Sequence, residues 1–215
     1  MLSVVHHARW LVLLSLLAFL ASAPALASSI PAACHQWQRP LTRIAQFHHG
    51  WNAPVSLYGA IIRQESSCRH NARSPVGALG LAQFMPGTVQ HVGELDRSLR
   101  GWDPLNPAQS LQALLIYYRW LDRQAARLPA ADACQQAAFS LSGYNGGFGW
   151  TQRDVRLCRA ATGCDPLQWF GHVEHHTARA AWANRENRHY VQVILKRWQP
   201  DFVRAGWLGA ALCEE

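Results

Sequence analysis

Lysine is nearly absent from this chain: of the 20 cationic residues only Lys196 is a lysine, and the arginines are spread along the sequence. With a formal net charge of +7, that even spread fits a polyanionic environment and lacks the clustering of a discrete nucleic-acid stripe. An anionic cell wall, nucleic acid, heparin or a membrane surface would each match the charge, which decides nothing among them. C-x-x-C is missing as well, so zinc ribbons and thioredoxin-like redox chemistry are excluded. Sustained apolar–polar alternation is missing too; Asp154 to Leu157 comes closest and is too short to make a strand-rich fold. P-loop, Rossmann and G-x-S-x-G signatures are absent, as are internal repeats, linkers and low-complexity tracts.

The apolar run Trp10 to Leu20, with Ser15 its one polar residue, is too short to span a bilayer comfortably. It follows His6, His7 and Arg9 and precedes the small-x-small triplet Ala25-Leu26-Ala27, so residues 1–27 read as a signal peptide cut after Ala27. An uncleaved anchor is the alternative. No cysteine lies near enough to the cut for a lipoprotein signal. The expected product, residues 28–215, is one domain of periplasmic or secreted protein with no stable membrane anchor. All six cysteines (Cys34, Cys68, Cys134, Cys158, Cys164 and Cys213) fall within it, which suggests three disulfides in an oxidising compartment. Six cysteines allow fifteen pairings. Only Cys158 with Cys164, closing a short loop, stands out.

Periodicity predicts a mainly α chain. Helices are expected from Pro40 to His49, ended by Gly50, and from Val55 to Ser66, opened by Pro54. Residues 73–80 are read as a loop, Gly80 to Phe84 and Gly87 to Val92 as helical pieces broken by Pro86, and residues 101–110 as turns. A stripe of Leu111, Leu114, Leu115, Tyr118, Leu121 and Leu128 marks a helix from about Pro107. Another helix is expected from Asp132 to Leu141, and a long one from about Val173 to Trp198.

One residue breaks the pattern of the second helix. Ile61, Ile62 and Glu65 follow Tyr58 at spacings that put a carboxyl on the apolar face. Burial disfavours the ionised form and raises a carboxyl pKa, which is what a general acid for a glycosidic oxygen needs. The plainer alternative turns Glu65 out to solvent, paired with Arg63 or Arg69.

The stretch around it, "IIRQESSCRHNARSPVGALGLAQFMPGTV", resembles the core of lytic transglycosylases of the soluble-Slt type, which have a lysozyme-like (goose-type-like) fold. The likeness rests on Glu65-Ser66, the Asn71 to Gln83 stretch, Phe84 to Thr88, the "YNGG" of Tyr144 to Gly147 and the "RENRHYV" of Arg185 to Val191, in the family's order. It implies a single α-helical domain with disulfides that cleaves the β-1,4 bond between N-acetylmuramic acid and N-acetylglucosamine. In such enzymes the muramic C6 hydroxyl closes onto C1 to leave a 1,6-anhydro end, with no cofactor and no metal. By the same resemblance Glu65 is acid and then base, and the substrate's N-acetyl oxygen replaces the second carboxylate of ordinary glycosidases. Substrate contacts carry over to Ser66, Gln83, Tyr144, Asn145, Glu186 and Tyr190. For Ser66 a helix-end hydroxyl bonded to backbone is the alternative, and for Glu186 an ion pair with Arg185 or Arg188. Two departures stand out: Ala82 replaces a common methionine before the glutamine, and Gly146 a common alanine.

Ten tryptophans invite a sugar-stacking role, with Trp102, Trp150 and Trp169 in or beside Gly- and Pro-rich segments, though burial in the core is the commoner use. His172 and His176 of "HVEHH" have the helical spacing of a zincin pair, but the glutamate is misplaced and a third ligand is not evident. Competing readings are a hydrolytic muramidase, needing Asp103 or Asp96 as second carboxylate, and a non-catalytic wall-binding protein. Expected partners are peptidoglycan strands and, for some biological roles, a secretion, conjugation or lysis apparatus; nucleic acid is not expected.

Overall fold

In the computed structural model, which describes residues 30–213, regular structure is helical apart from two isolated bridges. The expected signal peptide, residues 1–27, lies outside them. α1 (Ala32–His35) leads into α2 (Gln38–His49), which Gly50 ends with a left-handed φ of 76°. α3 (Val55–Ser66) has the bounds that Pro54 and the apolar spacing predict.

α4 (Pro86–Leu95) departs from expectation: Pro86 occupies its first turn, where the missing N–H costs nothing, and so opens the helix instead of breaking one. Gly80 to Phe84 is not helical. Gly80 has φ 79° and its Cα faces the Pro104 carbonyl so closely that a side chain would collide, and bridges from Leu79 to Arg73 and Phe84 pin the turn. α5 (Pro107–Ala125) begins where Asn106 caps it, its side chain accepting from the Ala108 and Gln109 N–H groups. α6 (Ala133–Gly146), capped by Asp132, runs beyond the expected end at Leu141, so the Tyr144-Asn145 pair sits on its last turn.

α7 (Phe148–Ala160) was not expected, and it contains the stretch that most resembled a strand. The long C-terminal helix begins at Ala181, not Val173. α8 (Ala181–Val193) continues through a π-helical turn, Ile194–Trp198, into α9 (Gln199–Arg204), with Pro200 tolerated in the first turn of the last piece.

α3 is the central element. Leu57, Ala60, Ile61 and Ile62 are fully buried, and α2, α9 and the π turn pack around it. At about 2 kcal/mol for each buried Leu or Ile, this single helix anchors much of the core. Three disulfides join Cys34 to Cys68, Cys134 to Cys213 and Cys158 to Cys164, the last being the pair expected from spacing.

Candidate active site

The last turn of α3 delivers Glu65 into a groove of about 280 Å³. Two left-handed residues follow Ser66, Ser67 (φ 52°) and Cys68 (φ 64°), so the chain leaves the helix abruptly. Such backbone costs about 1 kcal/mol or more per residue. Here it is held by the Cys34–Cys68 disulfide and by the Trp37 Nε1–H, which donates to the Cys68 carbonyl at 2.9 Å. The neighbouring side chains are fixed from the π turn and α9. Trp198 Nε1–H donates to Gln64 Oε1 at 3.0 Å, and the Arg63 guanidinium lies 3.4 Å from the Trp198 ring centroid and 3.3 Å from Asp201.

Glu65 is half-buried, with its carboxyl turned away from bulk water. Burial is the main cause that lifts its pKa to about 8. The Tyr190 O–H donates to Glu65 Oε1 at 2.6 Å and pulls the other way, and the nearby Glu186 charge adds to the rise. A neutral carboxylic acid at pH 7, oriented by a phenol, is an arrangement able to give up a proton and later take one back. Burial raises the Tyr144 and Tyr190 pKa values well above the ordinary phenol range, and a charged Glu65 would raise them further, so both remain donors.

The walls come from distant parts of the chain. Gln83, in left-handed backbone (φ 49°), donates from Nε2 to the carbonyls of Gly80 and Ala72, and its Oε1 has no protein partner among the described residues. The Tyr144 O–H donates to the Ala82 carbonyl at 2.9 Å, not to Glu65, and its ring stacks on Tyr190 with centroids 6.3 Å apart. Asn145 Oδ1 accepts from Asn187 Nδ2 at 3.0 Å, and Asn187 is bonded in turn to Ser142. Glu186 is exposed at the groove's edge and makes no ion pair among the described residues; Arg188 pairs with Glu174.

Of the residues expected here, Glu65, Gln83, Tyr144, Asn145 and Glu186 line the groove, and Tyr190 reaches it through Glu65. Ser66 is buried and donates to the Ile62 carbonyl one turn back, so it faces the core. Ser74, Val76, Met85, Thr88 and Tyr117 line the groove without having been singled out. All but Tyr117 lie inside or just after the motif stretch; Tyr117 on α5 is adjacent to the stripe residue Tyr118 and left no separate signal.

Several other candidates are structural. Trp102 and Trp169 are buried, and the Trp102 N–H donates to the Val89 carbonyl; Trp150 is partly exposed on α7. Asp96 caps the turn Arg97–Leu99 and Asp103 accepts from the Leu105 N–H, so neither lines the groove. The "HVEHH" stretch holds only a short turn, Val173–His175, so His172 and His176 do not share a helical face. Its buried Glu174 is an anchor for α8, accepting from Gly171, Arg188 and Gln192. His176 lies beside Cys158 and Cys164, but both sulfurs are committed to their disulfide and offer no thiolate.

The family model for the transglycosylase SLT domain matches residues 44–162, more than half of the chain. Membrane-bound lytic murein transglycosylase F of Vibrio parahaemolyticus is 34% identical over 114 residues, which is 53% of this chain and 20% of that protein. The chain thus spans about a fifth of the length of the curated relatives it matches. Among solved structures, the 70 kDa soluble lytic transglycosylase Slt70 of Escherichia coli superposes with a TM-score of 0.57 at 24% identity, covering 83% of this chain and 26% of that one. An inactive mutant of lytic transglycosylase Slt from Pseudomonas aeruginosa gives 0.55 at 19% identity, covering 82% and 25%. The mainly α, lysozyme-like architecture with disulfides is therefore as expected. The matched segment includes Glu65, Gln83, Tyr144 and Asn145 and stops short of Glu186 and Tyr190.

Proposed function

The chain belongs to the transglycosylase SLT domain family, and we propose that it is an exported peptidoglycan lytic transglycosylase acting in the periplasm or outside the cell. The observation that carries the reading is the Glu65 carboxyl, which lines the groove, is bonded by the Tyr190 O–H and has its pKa raised by burial to about 8. Glu65 gives its proton to the glycosidic oxygen between N-acetylmuramic acid and N-acetylglucosamine as the C1–O bond breaks. The substrate's N-acetyl oxygen stabilises the positive charge at C1. Glu65, now a carboxylate, takes the proton of the muramic C6 hydroxyl while O6 bonds to C1. A 1,6-anhydro end forms, no water is consumed, and the acid is regenerated.

The surrounding residues serve that cycle. Tyr190 orients the carboxyl and stabilises it in the half-cycle when it is charged. Gln83 Oε1 can accept from a sugar hydroxyl or N–H group, and Asn145, its Oδ1 held by Asn187, can donate from Nδ2 to a sugar oxygen, with Tyr144 fixing the wall between them. Ser66 acts through the helix end and not by touching sugar. A hydrolytic version of the chemistry is supported by one observation: Glu186 is the other carboxylate lining the groove and could hold a water.

Mass spectrometry of muropeptides released from purified sacculi separates the two. Wild-type protein is expected to release 1,6-anhydromuramic ends, and Glu65→Gln none. Reducing ends, heavier by one water, would turn the assignment to a hydrolase with Glu186 as partner. Absence of release with intact sacculus binding would favour a wall-binding role.

A further inference from the structure

Two exposed tryptophans lie beyond the residues that line the groove. On α8, Trp182, Glu186 and Tyr190 follow at i, i+4 and i+8, which sets them along one side of the helix. Tyr190 meets Glu65 and Glu186 lines the groove, so Trp182 continues that side one turn outward. Its side chain is 66% exposed, whereas Trp169, also outside the groove, is 2% exposed and simply core. Next to Asn145 in the chain, Gly147 and Gly149 join Trp150, Arg153 and Arg156 around a second recess of about 280 Å³.

Trp150 is exposed but not loose. The Arg153 guanidinium lies 5.3 Å from its ring centroid and that of Arg179 5.9 Å. Arg179 is itself fixed: it pairs with buried Asp154 at 2.9 Å and lies over the bare Cα of Gly146, where a Cβ would collide with it. The recess at Trp150 and the turn that carries Asn145 are therefore built on the same buried arginine. Isolated exposed tryptophans are ordinary on protein surfaces. Here one exposed tryptophan is phased with the groove wall along α8, and the other is braced by the arginine that packs on the turn next to Asn145, so both lie toward the same end of the groove.

We propose that Trp182 and Trp150 form a distal platform for the same glycan strand, stacking on the faces of sugars beyond those held at Glu65. The proposal rests on the glycan reading of the groove. Its consequence is chain-length preference, since short oligomers fill the central groove while longer ones also gain the platform.

The test is calorimetric binding of N-acetylglucosamine oligomers of three and six sugars to the Glu65→Gln protein, which cannot turn them over by the proposed route. Adding Trp182→Ala or Trp150→Ala is expected to weaken six-sugar binding about tenfold, the loss of one good stacking contact, and to leave three-sugar binding within about twofold. Trp182→Phe should recover most of the six-sugar affinity, which excludes a folding defect. Equal weakening for both lengths, or six-sugar binding unchanged in both alanine variants, overturns the platform. Failure of the Glu65→Gln protein to bind either oligomer would instead overturn the glycan reading on which it rests.

Discussion

Glu65 and its two polar neighbours set opposite pulls on one proton. Burial raises the carboxyl to about 8, Tyr190 lowers it by bonding the charged form, and Glu186 raises it by repulsion. Two substitutions should therefore move the alkaline limb of kcat/KM, where the acid is lost, in opposite directions. Tyr190→Phe removes the bond that favours the anion and shifts the limb to higher pH; Glu186→Gln removes the repulsion and shifts it to lower pH. A pH–rate series on the three proteins reads both signs. The same pKa makes a stability statement. From about pH 4.5 to 8 the unfolded chain releases a proton that the folded protein keeps, so stability falls as pH rises through that window. Glu65→Gln should melt higher than wild type at pH 8, with the gap closing toward pH 4.5. The groove admits water, so the difference is expected on the order of 2 kcal/mol, less than the full shift would give. Helical spacing raises the placement of Glu65 on the apolar face but leaves open a solvent-facing pair with Arg63 or Arg69. The phenol partner of Glu65 was not legible, because Tyr190 lies 125 residues away and only the family resemblance put the two in one site.

At the level of elements, the end of α6 depends on a missing methyl group. Arg179 lies directly over the Cα of Gly146, tied to Asp154 and to Ser142 Oγ. The bare Cα makes room for a buried ion pair behind it. Breaking such a pair from one side costs about 3 kcal/mol or more. Gly146→Ala, which evicts the arginine, and Arg179→Ala, which deletes it, should each destabilise by about that amount. The double variant should cost little more than either alone, because both remove one interaction. Denaturant melts of the four proteins close the cycle, and additive losses would contradict the shared slot. This network also explains why α7 escaped sequence analysis. Its buried positions, Phe148, Thr151, Asp154, Val155 and Cys158, keep helical spacing, but Thr151 and Asp154 disguise the apolar stripe. Asp154 is buried because Arg179 neutralises it, and that partner is invisible to local pattern. α3, by contrast, carries its apolar face openly and was found with its bounds.

For the whole molecule, three disulfides each tie a cysteine on a helix, Cys34 on α1, Cys134 on α6 and Cys158 on α7, to one outside any helix. Cys158–Cys164 spans a separation of 6 residues and could be anticipated; Cys34–Cys68 and Cys134–Cys213, at 34 and 79, depend on the tertiary fold. Loop-closure entropy predicts a contribution near about 4 kcal/mol for the longest and about 2 kcal/mol for the shortest. Thermal melts should therefore fall most for Cys134→Ala/Cys213→Ala and least for Cys158→Ala/Cys164→Ala. Cys34–Cys68 has a second effect because it holds the left-handed backbone just after Glu65. Its double alanine variant should lose turnover well below its melting temperature, while Cys134→Ala/Cys213→Ala keeps the wild-type rate per folded molecule.

Carbon-13 NMR titration of the Glu65 side-chain carboxyl, assigned by difference against Glu65→Gln, tests the central claim most directly. A midpoint near pH 8 is expected, with Glu65 still protonated at pH 7. A midpoint near 4.5, the ordinary value for glutamate, would contradict the claim that burial in the groove makes this residue a proton donor.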